Sequence, residues 1–262
     1  MSYERIILEF DKNVATIRLN HPEVLNAMGS QMVEEFSLAL LEVADPENGA
    51  RCLLLTGEGR AFCSGANLTD EGRAGRTGGW RTTLRRDYHP LLCGLRDLEM
   101  PMVTAVHGPA AGVGMSFALM ADIVCASKEG YFLQAFARIG LVPDGGATFL
   151  LPRLIGWGRA VELSMLAEKL PAERAHEWGL VNRLYEDRES LMEGASEMAQ
   201  RLARGPRSLA LIRRAYWATW QNSYEQQLDL EARSQGEASA TEDAKEGRAS
   251  FLEKREPHFQ GR

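Results

Sequence analysis

The sequence predicts a layered α/β protein with a mostly parallel sheet, followed by a helical C-terminal part. Between residues 52 and 136, apolar runs typical of buried strands alternate with helix-like segments. From residue 160 onward helical spacing dominates, and it is strongest between residues 208 and 251. With 262 residues, 45% of them hydrophobic, the chain is long enough to bury a large core.

The N-terminal segments predict a hairpin and a first helix. Residues 6–10 and 14–19 alternate in hydropathy on either side of a short polar turn, as paired strands do. Residues 30–43 carry apolar side chains at helical spacing, with Ser30 as the expected N-cap.

Two turns bearing glycine are the most informative feature of the middle of the chain. Residues 61–68, AFCSGANL, follow the apolar run 52–56, and residues 108–116, GPAAGVGMS, follow the run 102–106. Residues 117–121 then continue as a buried helix, so the second turn is expected at a helix start. Backbone N–H groups there lack intrahelical partners and can stabilise an anion. One donor from each turn would form an oxyanion hole, although glycines between a strand and a helix also serve ordinary packing.

The remaining elements complete the alternation. A helix is predicted over residues 88–98, ending before Pro101, and further strand-like segments over 123–126 and 131–136. Residues 69–83 are polar and rich in glycine, and they predict a loop that is either a pocket wall or an ordinary solvent loop.

Composition excludes several classes of protein. The net charge is -6, and Lys and Arg are dispersed among acidic residues, so no nucleic-acid footprint is visible. The chain has no apolar run of about 18 residues and no signal-like N-terminus, which predicts a cytoplasmic protein without a membrane partner. The four cysteines lack metal-ligand spacing and are expected to be small core residues. They are Cys52, Cys63, Cys93 and Cys125.

Two later motifs complete a resemblance to a known family. Residues 139–146 read IGLVPDGG and residues 175–181 read AHEWGLV. Taken with the two turns, they make the sequence similar, essentially end to end, to the crotonase family, also called the enoyl-CoA hydratase/isomerase superfamily. The resemblance implies a spiral of ββα units over residues 1–200 and a helical trimerisation region over 201–262, assembled as a homotrimer or a dimer of trimers.

The same resemblance implies an acyl-CoA thioester as substrate, with coenzyme A as part of the substrate, no permanently bound cofactor and no metal. The oxyanion hole would consist of the backbone N–H groups of Ala66 and Val113, although the family usually has glycine at the second position. Phe251 and Lys254 would contact the adenine or phosphate end, from this subunit or a neighbour. The residues expected along the CoA channel are Leu25, Ala27, Ser64, Gly65, Ala66, Asn67, Leu68 and Gly112.

Side chains around the turns decide the chemistry. Hydratases of the family use two glutamates, which correspond here to Ser116 and Phe136, and neither can act as a carboxylate base. Asp144 stands where other branches place a catalytic acid. Its apolar neighbours in sequence would raise its pKa toward a useful range. An aspartate here with both glutamates absent is typical of certain isomerases of the family, which predicts an acyl-CoA isomerase with Asp144 as the proton-transfer residue.

Alternatives remain open. Asp144 could instead cap a helix that begins near Gly145. The protein could be an enoyl-CoA hydratase that uses Asp144 and a water held by Ser116, or a non-catalytic protein that binds acyl-CoA. Asp70 and Glu71, which follow the first turn, are weaker candidates for a catalytic role.

Overall fold

The computed structural model describes residues 3–70 and 79–262. Its main sheet has six strands in the order β1-β2-β3-β4-β6-β9. β1 is antiparallel to β2, and every other neighbouring pair is parallel. The strands of this sheet are Ile6–Asp11 (β1), Val14–Leu19 (β2), Cys52–Gly57 (β3), Met102–Val106 (β4), Ile123–Ser127 (β6) and Arg183–Tyr185 (β9).

A smaller sheet stands beside the first and is built from short strands. They are Pro109–Ala111 (β5), Tyr131–Leu133 (β7) and Leu170–Pro171 (β8), in the order β5-β7-β8. β5 begins three residues after β4 ends, so the chain leaves the main sheet almost at once. This departure carries the second glycine turn away from the main sheet.

The helices surround the two sheets. They are Ser30–Ala44 (α1), Gly79–Thr83 (α2), His89–Asp97 (α3), Val113–Ala118 (α4), Ala147–Ile155 (α5), Trp157–Leu166 (α6), Ala172–Glu177 (α7), Arg188–Ala203 (α8), Ser208–Thr219 (α9), Tyr224–Ser239 (α10) and Glu242–Glu253 (α11). A π-helical turn, Leu84–Tyr88, precedes α3, and a 3-10 helix, Ala135–Ile139, follows β7.

The main sheet lies between two helical layers because its central strands are apolar on both faces. β3 and β4 are buried along their whole length. On one face, Leu54 and Cys125 pack against α8, whose small buried residues Ala195 and Ala199 allow a close approach. The opposite face belongs to the larger core, which includes buried residues of α1 and α3. Burial on both faces is typical of parallel sheets and confirms the predicted layered α/β class.

The predicted elements of the N-terminal half are largely confirmed. The hairpin, α1, β3 and β4 form where the pattern indicates, but the N-cap of α1 is Gly29, and Ser30 is its first helical residue. The helix expected to continue to residue 121 ends at Ala118 and begins already at Val113. Residues 79–83 of the expected loop are helical, and residues 71–78 lie outside the described part.

Other expectations are wrong in detail. The segment 131–136 is a strand only as far as Leu133, and the region after residue 160 contains β8 and β9 between its helices. Three of the cysteines are buried as predicted, but Cys93, on α3, is exposed. Burial raises the pKa of the Cys63 thiol to about 12, so this group is an inert core residue.

The C-terminal helices are fastened to the core of the same chain through α9. Arg213, on α9, is only 4% exposed and donates to Asp122 Oδ2 at 2.9 Å and to the Leu95 carbonyl oxygen at 2.8 Å. Trp217 and Trp220 pack against the main core one and two turns further on. The predicted boundary at residue 200 lies inside α8, which ends at Ala203. No helix in the described ranges is long and apolar enough to cross a membrane.

Candidate active site

The two glycine turns lie side by side, joined by main-chain hydrogen bonds. The Cys63 N–H donates to the Pro109 carbonyl oxygen at 2.9 Å, and the Ala111 N–H donates to the Cys63 carbonyl oxygen at 2.9 Å. Gly65 and Gly112 have φ angles of +110° and +53°, a region that favours glycine. A Cβ on Gly65 would lie 3.8 Å from the Gly112 Cα, so the two glycines are adjacent. The prediction that the turns meet is confirmed.

A third segment runs along the outer side of the first turn. Ser64 N–H donates to the Leu25 carbonyl oxygen at 2.9 Å, and Met28 N–H donates to the Gly65 carbonyl oxygen at 2.7 Å. Leu25 and Ala27 therefore adjoin residues 64–68, with Ala27 buried and Leu68 63% exposed. The predicted channel residues of these two segments are thus neighbours, and their contact with coenzyme A stays a prediction.

The two predicted oxyanion donors are available. Among the hydrogen bonds of the described residues, neither the Ala66 N–H nor the Val113 N–H donates to another protein group. Val113 is the first residue of α4, where a backbone N–H has no intrahelical acceptor. Its side chain is buried and directed toward Gly145, since Val113 Cγ2 lies 3.0 Å from where a Gly145 Cβ would stand. Valine at this position thus packs on the Asp144 loop and leaves its N–H free to donate.

Asp144 lies against the first turn of α4. The Ser116 hydroxyl donates to the Asp144 carbonyl oxygen at 3.1 Å. The next residue, Gly145, has a φ of +62°, and a Cβ there would lie only 2.8 Å from Ser116 Oγ. The N-cap residue of α5 is Gly146. Asp144 lies two residues before it, and the Asp144 carbonyl oxygen accepts from the Ala147 N–H at 3.1 Å.

The surroundings of Asp144 differ from those expected from its sequence neighbours. Ile139, Leu141 and Val142 are exposed in the single chain, Val142 at 80%, so they form no buried apolar shell around the half-buried Asp144. A buried aromatic ring lies nearby instead. Phe136 Cζ is 3.7 Å from where a Cβ of Gly112 would stand, which places the ring directly against the second turn.

Asp70, one of the two acidic residues after the first turn, is bonded to the N-terminus of α1. Asp70 accepts hydrogen bonds from the Ser30 N–H at 2.8 Å and the Ser30 hydroxyl at 2.6 Å, at the N-terminus of α1. A carboxylate is stabilised at this end of a helix. The structure therefore gives Asp70 a clear structural partner, while Glu71 lies outside the described residues.

Comparisons with known proteins place the chain in a family. A family model described as enoyl-CoA hydratase/isomerase matches residues 9–262. The chain belongs to the enoyl-CoA hydratase/isomerase family. It is 43% identical over 263 residues to a "Probable enoyl-CoA hydratase" of Rhodobacter capsulatus, covering 100% of both chains. It is 40% identical over 262 residues to the 1,2-epoxyphenylacetyl-CoA isomerase of Escherichia coli, covering 99% of both.

Solved structures of the family share the whole fold. The crystal structure of an enoyl-CoA hydratase/isomerase from Cupriavidus metallidurans superposes with a TM-score of 0.91 at 33% identity, covering 100% of this chain and 98% of the other. The predicted crotonase fold is thus confirmed, and acyl-CoA thioesters are the substrate class of the family.

Sequence reasoning missed Asn26, which fixes the channel segment to the first turn. Asn26 is fully buried, and its side chain accepts from the His21 N–H at 2.8 Å. Its amide group donates to the carbonyl oxygens of Glu58 and Ala61, each at 2.8 Å. Its φ of +55° is a conformation that asparagine tolerates better than most residues. An asparagine between the predicted channel residues Leu25 and Ala27 was therefore the sequence signal that could have pointed to this position.

Phe251 and Lys254 are not brought to the turns within the single chain. Both belong to the end of α11, which packs against α10, and Phe251 is 83% exposed. Among the described residues, no hydrogen bond joins α11 to either turn. A contact of these residues with coenzyme A, from this subunit or a neighbour, stays a prediction.

Other features of the described chain do not compete with this site. A cavity of about 750 Å³ lies between α1, α3 and the start of α9, and its lining includes none of the predicted site residues. Within the described ranges, no group of three or more His, Cys, Asp or Glu side chains is arranged to hold a metal ion.

Proposed function

We propose that the protein is an acyl-CoA isomerase that shifts a double bond along the acyl chain, or isomerises a ring epoxide, without net addition of water. In the double-bond reaction, Asp144 takes a proton from C2 of a 3-enoyl thioester. The C2–H electron pair forms the C1=C2 bond of a dienolate that keeps its C3=C4 bond, and the C1=O π pair moves onto the thioester oxygen, where the negative charge develops. Asp144 then returns the proton to C4. The C3=C4 pair forms the new C4–H bond, the C1=C2 pair forms the C2=C3 bond, and the oxygen pair restores C1=O, so one double bond moves and no atom is gained or lost.

The N–H groups of Ala66 and Val113 would stabilise that charge. Preorganised donors matter most where charge develops, and removing one such donor typically costs about 3–4 kcal/mol of transition-state stabilisation. Both donors belong to the main chain and are held by hydrogen bonds between the turns. The hole is therefore rigid before the substrate arrives, which is the condition for strong stabilisation.

The observation that carries the proposal is the placement of Asp144. Its main chain rests on the same turn of α4 that supplies the Val113 N–H. The two positions of the hydratase glutamates hold Ser116 and Phe136, so neither of them supplies a carboxylate. The Phe136 ring against Gly112 would exclude water, favouring isomerisation over hydration. The 40% identity over 262 residues to a 1,2-epoxyphenylacetyl-CoA isomerase supports the same choice.

Hydration is the second candidate, favoured by the hydratase names of several relatives. It would need a water activated near Asp144. In the structure the Ser116 hydroxyl donates its proton to the Asp144 carbonyl oxygen, so that proton is not offered to a water. A non-catalytic acyl-CoA-binding protein is the third candidate, and it has no use for Asp144 beside the oxyanion donors.

Two substrates and two variants distinguish these functions. With 3-hexenoyl-CoA, formation of the 2-enoyl thioester gives an absorbance increase, and we expect Asp144→Asn to lower its rate by about 10²- to 10⁴-fold. The matched control is Asp97→Asn, because the Asp97 carboxylate is exposed and hydrogen-bonded to Arg96. This variant should retain the wild-type rate. Rapid hydration of crotonyl-CoA that survives Asp144→Ala would refute the proposal, and so would binding of both thioesters without turnover.

We further propose that the chain assembles into a homotrimer or a dimer of trimers. Large apolar side chains on α6 and on the neighbouring segment 139–142 are exposed in the single chain, among them Trp157, Met165 and Val142. Exposed apolar surface on this scale is typical of an interface. Light scattering coupled to gel filtration should give a mass three or six times 29.1 kDa, and a monomer would refute the assembly.

A further inference from the structure

We infer that Ser116 is a positioning residue that fixes the Asp144 carboxylate at a set distance from the oxyanion hole. The inference rests on the proposed role of Asp144 in proton transfer. Ser116 is fully buried, and its hydroxyl donates to the Asp144 carbonyl oxygen at 3.1 Å, across 28 residues of sequence. The same carbonyl oxygen also accepts from the Ala147 N–H at 3.1 Å.

Packing reinforces the hydrogen bond. Gly145 lies so close to α4 that an added Cβ would stand 2.8 Å from both Ser116 Cβ and Ser116 Oγ, and 3.0 Å from Val113 Cγ2. Residues 113 and 116 are neighbours on one helical face, since they are three positions apart. The main chain at 144–145 therefore rests on a platform formed by these two side chains.

This platform joins the two halves of the proposed chemistry. Val113 contributes a backbone N–H to the hole, and Ser116, three residues later on α4, holds the residue that moves the proton. The distance between the Val113 N–H and the proton-transfer residue Asp144 is thus set by a single helical turn. Displacements of about 1 Å in such arrangements can cost about 10²-fold in rate, so a group that fixes the separation acts on kcat rather than on binding.

The platform also leaves little room for a larger side chain at 116. Ser116 Oγ lies 3.1 Å from the Asp144 carbonyl oxygen and 2.8 Å from where a Gly145 Cβ would stand. A glutamate at 116 would therefore extend toward the space that residues 144–145 occupy.

The test removes the hydroxyl and compares it with a matched buried hydroxyl. In Ser116→Ala, one hydrogen bond is lost with little change in volume. Thr104→Val is the control, because the Thr104 hydroxyl is also fully buried and donates at 3.0 Å to the Ala118 carbonyl oxygen, at the opposite end of α4. Each variant loses one buried hydroxyl-to-carbonyl bond that ties α4 to a neighbouring segment, so they should lose similar stability.

With 3-hexenoyl-CoA, we expect Ser116→Ala to lower kcat by about 3- to 10-fold with KM changed by less than about 2-fold, while Thr104→Val keeps the wild-type kcat. Because Ser116 acts through Asp144, the double variant with Asp144→Asn should be no slower than Asp144→Asn alone. A Ser116→Ala kcat equal to that of Thr104→Val would overturn the inference. Independent, multiplicative effects of the two substitutions would do the same.

A measurement that needs no turnover separates this inference from the proposed function. Amide hydrogen exchange of residues 145–147 should be faster in Ser116→Ala and unchanged in Thr104→Val. If Asp144→Asn keeps full activity, the proposed function fails, and the exchange data still decide whether Ser116 holds the loop. Unchanged exchange in Ser116→Ala would refute the positioning role, whatever the activity.

Discussion

Replacing Gly114 with alanine should separate the two turns and test whether their close contact matters for rate. Gly114 is the second residue of α4 and faces Cys63 of the first turn. A Cβ at Gly114 would lie 2.8 Å from both Cys63 Cβ and Sγ, and closer still to the Cys63 carbonyl oxygen. The φ of Gly114 is not positive, so the backbone itself accommodates alanine and the effect isolates packing.

The size of the effect follows from the shortfall in distance. Ordinary contacts begin at 3.4 Å, so the Cys63 side chain and the new methyl group must separate by 3.4 - 2.8 = 0.6 Å, and the carbonyl oxygen by more. Ala66 and Val113, one on each turn, move apart with them. Since about 1 Å of misplacement can cost about 10²-fold, we expect kcat to fall by about 10- to 100-fold. Complete loss of one donor, about 3–4 kcal/mol, sets the upper limit.

The assay is steady-state isomerisation of 3-hexenoyl-CoA, with urea denaturation to show that the variant is folded. Gly236→Ala is the control, because an added Cβ there meets nothing within 4 Å on α10. It should keep the wild-type kcat and gain about 0.5–1 kcal/mol of stability as an alanine in a helix. A folded Gly114→Ala protein with kcat within about twofold of wild type would show that the spacing of the turns does not control catalysis.

Three further predictions concern the framework. Arg213→Met should destabilise the fold by about 2–4 kcal/mol, while Arg214→Met, in an exposed ion pair, costs less than about 1 kcal/mol by urea denaturation. Burial raises the pKa of Asp122, and the neighbouring Arg213 opposes this by lowering it, so the Asp122 pKa rises further without Arg213. A raised folded-state pKa favours the protonated form and stabilises the fold as pH falls. The stability lost in Arg213→Met should therefore be smaller at pH 5 than at pH 7. Asn26→Asp should cost about 2–4 kcal/mol, because a carboxylate would face two carbonyl oxygens, and equal urea midpoints would contradict this. Native protein should react with one equivalent of Ellman's reagent, at Cys93, and unfolded protein with four; a second fast-reacting thiol would contradict the burial pattern.

Long apolar runs made much of the fold predictable from the sequence. β3 and β4 have no polar face, so their burial in a parallel sheet could be read directly from residues 52–56 and 102–106. The short strands could not be read in this way. β5 and β9 have three residues each, too few for any periodicity, and tertiary pairing with β7 and β6 defines them.

The candidate site, too, could be predicted from the sequence only in part. The two turns and their glycines were visible because unusual backbone requires particular residues, as the φ of Gly112 shows. The contact of Ser116 with Asp144 was not visible, because it joins residues far apart in sequence through one hydroxyl. The apolar run around Val142 led to a wrong expectation about the surroundings of Asp144, for a related reason. Hydropathy alone does not tell whether a run covers its own core or a surface that is open in the single chain.

The main-chain pairing of Cys63 with residues 109–111 has a consequence for new activities in this scaffold. Hydrogen bonds between backbones do not depend on which side chains the turns carry, provided that the glycines remain. Under the proposed function, substitutions at positions 116, 136 and 144 would change the reaction while the backbone donors of Ala66 and Val113 keep their positions. A laboratory search for new activities in this scaffold should randomise those three positions first.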